Sequence, residues 1–289
     1  MTLEERTIDN LVMDAIEEKC IINTEEKILY PPVAMSIGEK SIKTKDGMKT
    51  YPIPIGTYGN FSFVQAPPKT KKTFFVSLLA SVYLAGQNKF GGEIKGHRDN
   101  KQLLHFDTEQ GKWHCQKVFR RVLDMNNTEK DDNYKTFSLR TVGYKTRMQF
   151  IEYWLREKVE TNRAGLVIVD GIADLVSDVN NLEESNNVVQ KLMEWTTDYN
   201  CHIVTIIHSN YGSSKPTGHL GSLLEKKAET QIELEVNTVH ADNVTVKCRR
   251  SRGFPFDSFS FKVNEFGYPV IVGNLYNHLE GLKIKHKKM

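Results

Sequence analysis

The stretch "VQAPPKTKKTFF", residues 64–75, decides how the chain is read. Within it, Ala66, Pro67, Pro68, Lys69, Thr70, Lys71, Lys72 and Thr73 align with the pattern G-x-x-x-x-G-K-[ST] of a phosphate-cradling loop. The Lys-Thr ending is kept, while Ala66 and Lys71 stand where glycines belong. Such a loop points backbone N–H groups at phosphate oxygens beside a helix N-terminus. Its lysine reaches the outer phosphates and its hydroxyl binds magnesium. The context is the required one. "NFSFVQ" reads as a short strand before the loop, and "TFFVSLLASVYLAG" reads as an apolar helix after it, ending near Gly86. A left-handed backbone at Lys71 costs on the order of 1–2 kcal/mol, which a fold can absorb. The competing reading is a basic loop that only opens a core helix.

Two more strands bear on that choice. "LLHFDTEQG" puts Asp107 and Glu109 at a strand end, and "GLVIVDGIADL" does the same with Asp170. An apolar strand that delivers Asp170 to the rim of the loop suits the carboxylate that supports magnesium. Glu109 on a neighbouring strand end suits a general base for an attacking water. Helices are expected over 3–19, through "WHCQKVFRRVLDM", over 146–160 and over 182–199. "CHIVTIIHSN" is a further apolar strand, and "TQIELEV", "VTVKCR", "SFSFKV" and "YPVIV" are short strands close together near the end.

This alternation predicts an α/β fold: a mainly parallel sheet flanked by helices on both faces, with antiparallel strands added near the C-terminus. Right-handed crossovers then gather the strand C-terminal ends on one rim. Residues 24–58, broken by Pro31, Pro32, Gly38, Gly47, Pro52 and Pro54, read as an irregular extension with short strands. The expected organisation is an N-terminal extension over 1–55, a core over 56–273 and a basic tail over 274–289.

The composition is that of a globular domain, with 39% hydrophobic and 26% charged residues in 289. No run approaches a membrane span. The start, "MTLEERTIDNLVMDAIEEKC", lacks the basic and apolar regions of a signal peptide, so a cytoplasmic protein without a membrane partner is expected. Cys20, Cys115, Cys201 and Cys248 are far apart, which favours reduced thiols over zinc or disulfides. A net charge of +3 alone does not imply a nucleic-acid partner, although "KCRRSRG" at 247–253 and the ending "KIKHKKM" are locally basic. No G-x-G-x-x-G follows the first strand of the core, which argues against a dinucleotide-binding redox enzyme.

With Pro67, Pro68 and Lys69 inside the loop, the chain resembles a RecA-like P-loop ATPase. Within that fold it is similar to the RepA/DnaB-like helicase group of phages, plasmids and mobile elements, whose loops often read G-P-P-K-[SA]-G-K-[ST]. The resemblance covers roughly residues 56–265. It implies ATP and Mg2+ as cofactors, with Ala66 through Thr73 and Phe74 as the nucleotide-binding segment. It maps the catalytic glutamate to Glu109, the Walker B aspartate to Asp170, and a γ-phosphate sensor to His208 in "IVTIIHSN". "GHLGSLLEKKAETQIEL", residues 218–234, resembles the Gly-rich segment and strand that close the core.

The same resemblance implies homo-oligomers, a hexameric ring or a filament, that hydrolyse ATP at subunit interfaces. A neighbour's Lys247, Arg249, Arg250 or Arg252 would complete each site, with Arg252 the first choice. It also implies single-stranded DNA at the loop over 209–221, through Tyr211, Lys215 and His219. The function implied is an ATP-dependent DNA-acting motor, a replicative helicase or helicase-like replication protein. Two alternatives stand beside it: a recombinase or loader that forms filaments on single strands, and a non-hydrolysing, nucleotide-dependent structural DNA-binding protein. Lys71 is expected to donate to phosphate or to sit at the subunit interface.

Overall fold

The computed structural model describes residues 3–86, 94–210, 213–237 and 242–272. The basic tail over 274–289 lies outside the described residues, as does Tyr211. By its contacts the chain divides into residues 1–31 and 32–289. The first unit holds helix α1, Leu3–Cys20, followed by turns such as the one closed by Glu26 N–H donating to the Asn23 carbonyl at 3.1 Å.

The second unit opens with a hairpin, β1 (Val33–Thr44) and β2 (Gly47–Thr57). These strands are long, and they correct the expectation of an irregular segment with short strands. Pro52 and Pro54 misled that reading. β2 is an edge strand in the order β2-β1-β4, with β4 at Ile94–Gly96, and an edge tolerates a residue without an N–H. Gly38, at φ 67°, sits within the register shift between Ser36 and Glu39, where a glycine permits a bulge. The hairpin therefore belongs to the second unit.

The main sheet has nine strands in the order β12-β11-β10-β9-β3-β8-β7-β5-β6. They are β3 (Phe61–Ala66), β5 (Gln102–Asp107), β6 (Tyr134–Ser138), β7 (Ala164–Asp170), β8 (His202–His208), β9 (Thr230–Val236), β10 (Asn243–Ser251), β11 (Phe259–Val263) and β12 (Pro269–Val272). Every pairing from β9 across to β6 is parallel, and the pairings of β10, β11 and β12 are antiparallel. The mainly parallel sheet with C-terminal antiparallel strands is thus present as expected.

One member moves: β9, expected among the antiparallel additions, pairs parallel with β3. The cause is helix α6 (Gly218–Lys227), which the sequence reading missed and which carries the chain back to start β9 beside the start of β3. Its first residue, Gly218, has φ 69° and lies so close to the Val179 carbonyl that a Cβ would come within 2.7 Å, so glycine here is positional. β6 was also missed; it is short, partly polar and at the sheet edge, so its burial pattern does not alternate clearly. Where one helix was expected over 146–160, α4 (Tyr144–Tyr153) runs into a π turn at Trp154–Lys158.

Two apolar layers cover the sheet. Helix α2 (Lys72–Ala85) packs with α3 (Lys112–Met125) on one face, around Leu79, Val122, Val64 and Ile232. α4, α5 (Leu182–Asp198) and α6 pack on the other, around Ile151, Leu192, Phe63 and Leu224. Alternate residues of each buried strand feed alternate layers, as a pleat requires. β3 and β8 lie in the middle of the sheet, so the loop after β3 leaves from a fully buried central strand.

Candidate nucleotide-binding site

The loop begins where fully buried β3 ends at Ala66. Pro67 and Pro68 fix the exit, and Thr70 Oγ1 donates back to the Pro67 carbonyl. Lys69 and Lys71 then adopt left-handed backbone, at φ 64° and 59°. The missing glycines have therefore not removed the loop conformation; lysines adopt it. Lys71 caps α2, and its carbonyl accepts from the Phe74 and Phe75 amides at 3.0 and 3.2 Å. Among the described residues, the amides of Lys69 through Thr73 have no acceptor. A run of free N–H groups through left-handed turns at a helix N-terminus is an anion-binding nest. The Lys71 ammonium, expected at a phosphate or a subunit interface, donates within this chain to the Asp242 carbonyl at 2.8 Å, bracing the loop against the approach to β10.

Lys72 opens α2, and its ammonium donates to the Pro67 carbonyl at 2.9 Å and contacts His208 Nδ1 at 3.1 Å. An ammonium can only donate, so Nδ1 is an acceptor and the His208 proton sits on Nε2. Burial, and then the Lys72 charge, lower the His208 pKa, which keeps the ring neutral. Burial also lowers the Lys72 pKa, against the opposing pull of Glu109 and Asp170. Ala66 and His208 are register partners of β3 and β8, as Asp107 and Asp170 are of β5 and β7, so these side chains share one rim.

Asp170 is 6% exposed and its Oδ2 has no hydrogen-bond partner. Burial, reinforced by Asp107 and Glu109, pushes its pKa up to about 7, although Lys72 pulls the other way. A buried carboxylate with an orphaned oxygen suits a divalent cation. Thr73, in the first turn of α2, is the hydroxyl on the same rim. Among the described residues no group of three His, Cys, Asp or Glu could hold a metal. Magnesium carried by phosphate needs only one or two protein ligands.

Glu109 is exposed, and its position is set by Asp107. The buried Asp107 carboxylate accepts from the Glu109 and Gln110 amides at 3.0 and 2.7 Å and from Gln110 Nε2 at 2.8 Å. Thr108 Oγ1 meanwhile lies 2.9 Å from the Asp170 carbonyl and 2.8 Å from Asp174 Oδ2, sharing its one proton between these acceptors. Gly171, at φ 104°, leaves space for that hydroxyl, since a Cβ would lie 2.4 Å from it. The sequence reading missed the positioning roles of Asp107, Thr108 and Gly171. An aspartate whose side chain bonds amides two residues on is an Asx turn, and that spacing was the available signal.

Beyond His208, the chain turns back on itself. The Thr217 amide and Oγ1 both donate to the His208 carbonyl, at 3.0 and 2.7 Å, and Ser209 pairs with Pro216. Gln65 Nε2 donates to the Ser214 carbonyl at 2.6 Å from beneath. Lys215 and His219 are exposed on or beside this loop. Of the four basic candidates, Arg249 reaches this loop, its Nη2 donating to Ser214 Oγ at 2.9 Å. Lys247 pairs with Glu235, Arg249 pairs with Glu233 at 3.1 Å, and Arg252 Nη2 donates to the Lys227 carbonyl at 2.7 Å. Arg250 is exposed. Because β10 is antiparallel, its Arg250–Ser251 end pairs with the start of β9, at the rim opposite the loop. Within one chain, Arg250 and Arg252 are not brought to Lys72.

A cleft of about 720 Å³ opens beside α2, lined by Phe74, Trp113, Arg121, Phe266 and Tyr268. Trp113 and Phe266 are 66% and 72% exposed, and Arg121 stacks on Phe74 at 4.0 Å. Flat aromatic and guanidinium surfaces beside a phosphate nest suit a nucleobase. Of these residues the sequence reading singled out only Phe74.

Comparison with known proteins agrees with this geometry. The crystal structure of the RadB recombinase superposes with a TM-score of 0.52 at 16% identity, covering 74% of this chain and 91% of that one. The flagellar accessory protein FlaH from Methanocaldococcus jannaschii gives 0.52 at 15% identity, covering 75% and 90%. Both likenesses are of fold. No curated protein matches the sequence. These likenesses do not confirm the narrower RepA/DnaB-like grouping. The AAA domain family matches residues 55–214, more than half of the chain and all of the rim from Ala66 to His208. The chain has a RecA-like P-loop ATPase fold and belongs to the AAA domain family.

Proposed function

We propose that the chain is a DNA-stimulated ATPase that works as a homo-oligomer. The observation that carries this reading is the connected path from Lys72 through His208 to Thr217. It joins the phosphate nest to the exposed loop that bears Lys215. The amides of Lys69 through Thr73 and the Lys72 ammonium hold the triphosphate, and Phe74 with Trp113 faces its base. Thr73 and Asp170 hold magnesium, which when bound neutralises phosphate charge. Glu109, fixed by Asp107, takes a proton from the attacking water. His208 gains or loses Lys72 as a partner according to what the lysine holds, and its carbonyl passes any shift to Thr217. A neighbour's Arg250 or Arg252 supplies the basic group that one chain does not bring to its own rim.

Single-stranded DNA at residues 209–219 is the ligand this loop fits, through Lys215 and His219. Two kinds of motor share this machinery: a ring that unwinds duplex, as a replicative helicase does, and a filament that coats single strands. The likeness to the RadB recombinase is one of fold and is shared by both kinds of motor. ATP turnover with and without single-stranded DNA tests the reading, with Lys72→Ala and Glu109→Gln alongside. Stimulated turnover that both substitutions abolish supports it. Background turnover equal in all three proteins rejects it, and ATP binding that persisted in that case would indicate a nucleotide-dependent structural protein. Strand displacement and electron microscopy then separate ring from filament.

A further inference from the structure

The β1–β2 hairpin extends beyond what the fold uses. Only Met35, Ser36 and Ile37 pair with β4, and burial is confined to Ala34–Ile37 on β1 and Pro54–Thr57 on β2. From Glu39 to Tyr51 the two strands pair only with each other. A two-stranded ribbon is marginal by itself, and this one is reinforced at Ser41 Oγ and Thr50 Oγ1, 2.9 Å apart. Lys40 lies over the Phe254 ring at 4.2 Å and seats the ribbon against the segment between β10 and β11.

The charges on the ribbon are unevenly partnered. Its two acids are neutralised, Glu39 by Lys95 at 3.1 Å and Asp46 by Lys49 at 3.0 Å. Among the described residues Lys43 and Lys45 have no carboxylate partner within 4.0 Å, and Lys43 is exposed beside Met48, its register partner. Tyr51 is 43% exposed opposite Lys40. The projecting end therefore presents uncompensated ammonium groups with an aromatic ring between them and the body.

We propose that this ribbon is a second nucleic-acid contact, which binds the phosphodiester backbone through Lys43 and Lys45. A two-stranded ribbon fits a nucleic-acid groove, where lysines at its turn and flank meet phosphates on either side. Lysines are also favoured guards of ribbon edges against aggregation, a role the variants below separate from phosphate binding. Here the acids are paired off and the cations are left. This inference does not depend on the ATPase reading, because the ribbon shares no residue with the loop or its rim.

The test is fluorescence anisotropy of the full chain with labelled single-stranded and duplex DNA, over a range of salt. The double substitution Lys43→Ala/Lys45→Ala is expected to weaken binding about tenfold and to reduce the slope of log K against log salt by about 2 on duplex. Basal ATP turnover and thermal unfolding should be unchanged. Lys43→Glu/Lys45→Glu is expected to weaken binding further. Unchanged affinity and salt slope with both double variants would overturn the proposal, as would aggregation of the variants with intact DNA binding, which assigns the lysines to edge protection. Loss of stimulated turnover in Lys72→Ala with DNA binding retained leaves this proposal standing and bears only on the motor.

Discussion

Asp170→Asn should make the nucleotide-free protein more stable at neutral pH while removing its response to magnesium. The wild-type carboxyl is carried from its ordinary 3.8 to about 7 in the folded chain. At 1.36 kcal/mol per unit, that is about 4 kcal/mol of ionisation cost, net of the pull of Lys72. The folded value lies above the unfolded one, so the folded state binds more protons between the two. The penalty is absent below about pH 4, grows as pH rises towards 7, and is constant above that. An asparagine removes the charge but places an amide where Oδ2 has no partner, costing about 1–3 kcal/mol. The net gain near pH 8 is then about 1–3 kcal/mol, or about 2–4 °C in Tm for each kcal/mol. Differential scanning calorimetry at several pH values, with and without ATP and magnesium, reads both effects. The variant should gain most at high pH and show little ligand-induced rise. An equal difference between the two proteins at acidic and alkaline pH would refute the reasoning, because charge burial would then not be its source.

Other expectations follow from the same rim. Lys69→Gly relieves a left-handed lysine that carries no side-chain bond among the described residues, and should raise stability by about 0.5–1 kcal/mol in denaturant titration. Lys69→Val should lower it by at least as much. Gly171→Ala forces a Cβ to 2.4 Å from Thr108 Oγ1 at φ 104°, and should cost about 1–3 kcal/mol together with most of the ATP turnover. Thr217→Val removes one of two bonds to the His208 carbonyl, so DNA stimulation should fall several-fold, by about 1 kcal/mol of coupling, while nucleotide affinity holds.

The strands that carry the rim were legible because burial makes them conspicuous. Continuous apolar runs ending in Asp107, Asp170 and His208 can hardly be anything other than inner strands of a parallel sheet. The loop was legible from its Lys-Thr ending and its position between strand and helix. What escaped the sequence was set by relations between distant segments. The direction of β9 depends on how α6 returns the chain, and α6 opens on Gly218, which reads locally as loop. Pro52 and Pro54 read as breakers because nothing local says that β2 is an edge. The Lys71 partner is a backbone carbonyl 171 residues away, and no local pattern could name it.

The reversed direction of β10 has a consequence for assembly. The phosphate nest and the Arg250–Arg252 end of β10 sit on opposite poles of one subunit. Any contact that marries a basic strand end to a nest therefore joins unlike surfaces. In the proposed assembly, subunits stacked front to back would leave an unfilled nest at one end and an unused Arg250 at the other. Growth stops only if the stack curves into a ring; otherwise it continues as a helix. The pitch per subunit, rather than any residue in the site, would then decide between the proposed ring and the proposed filament.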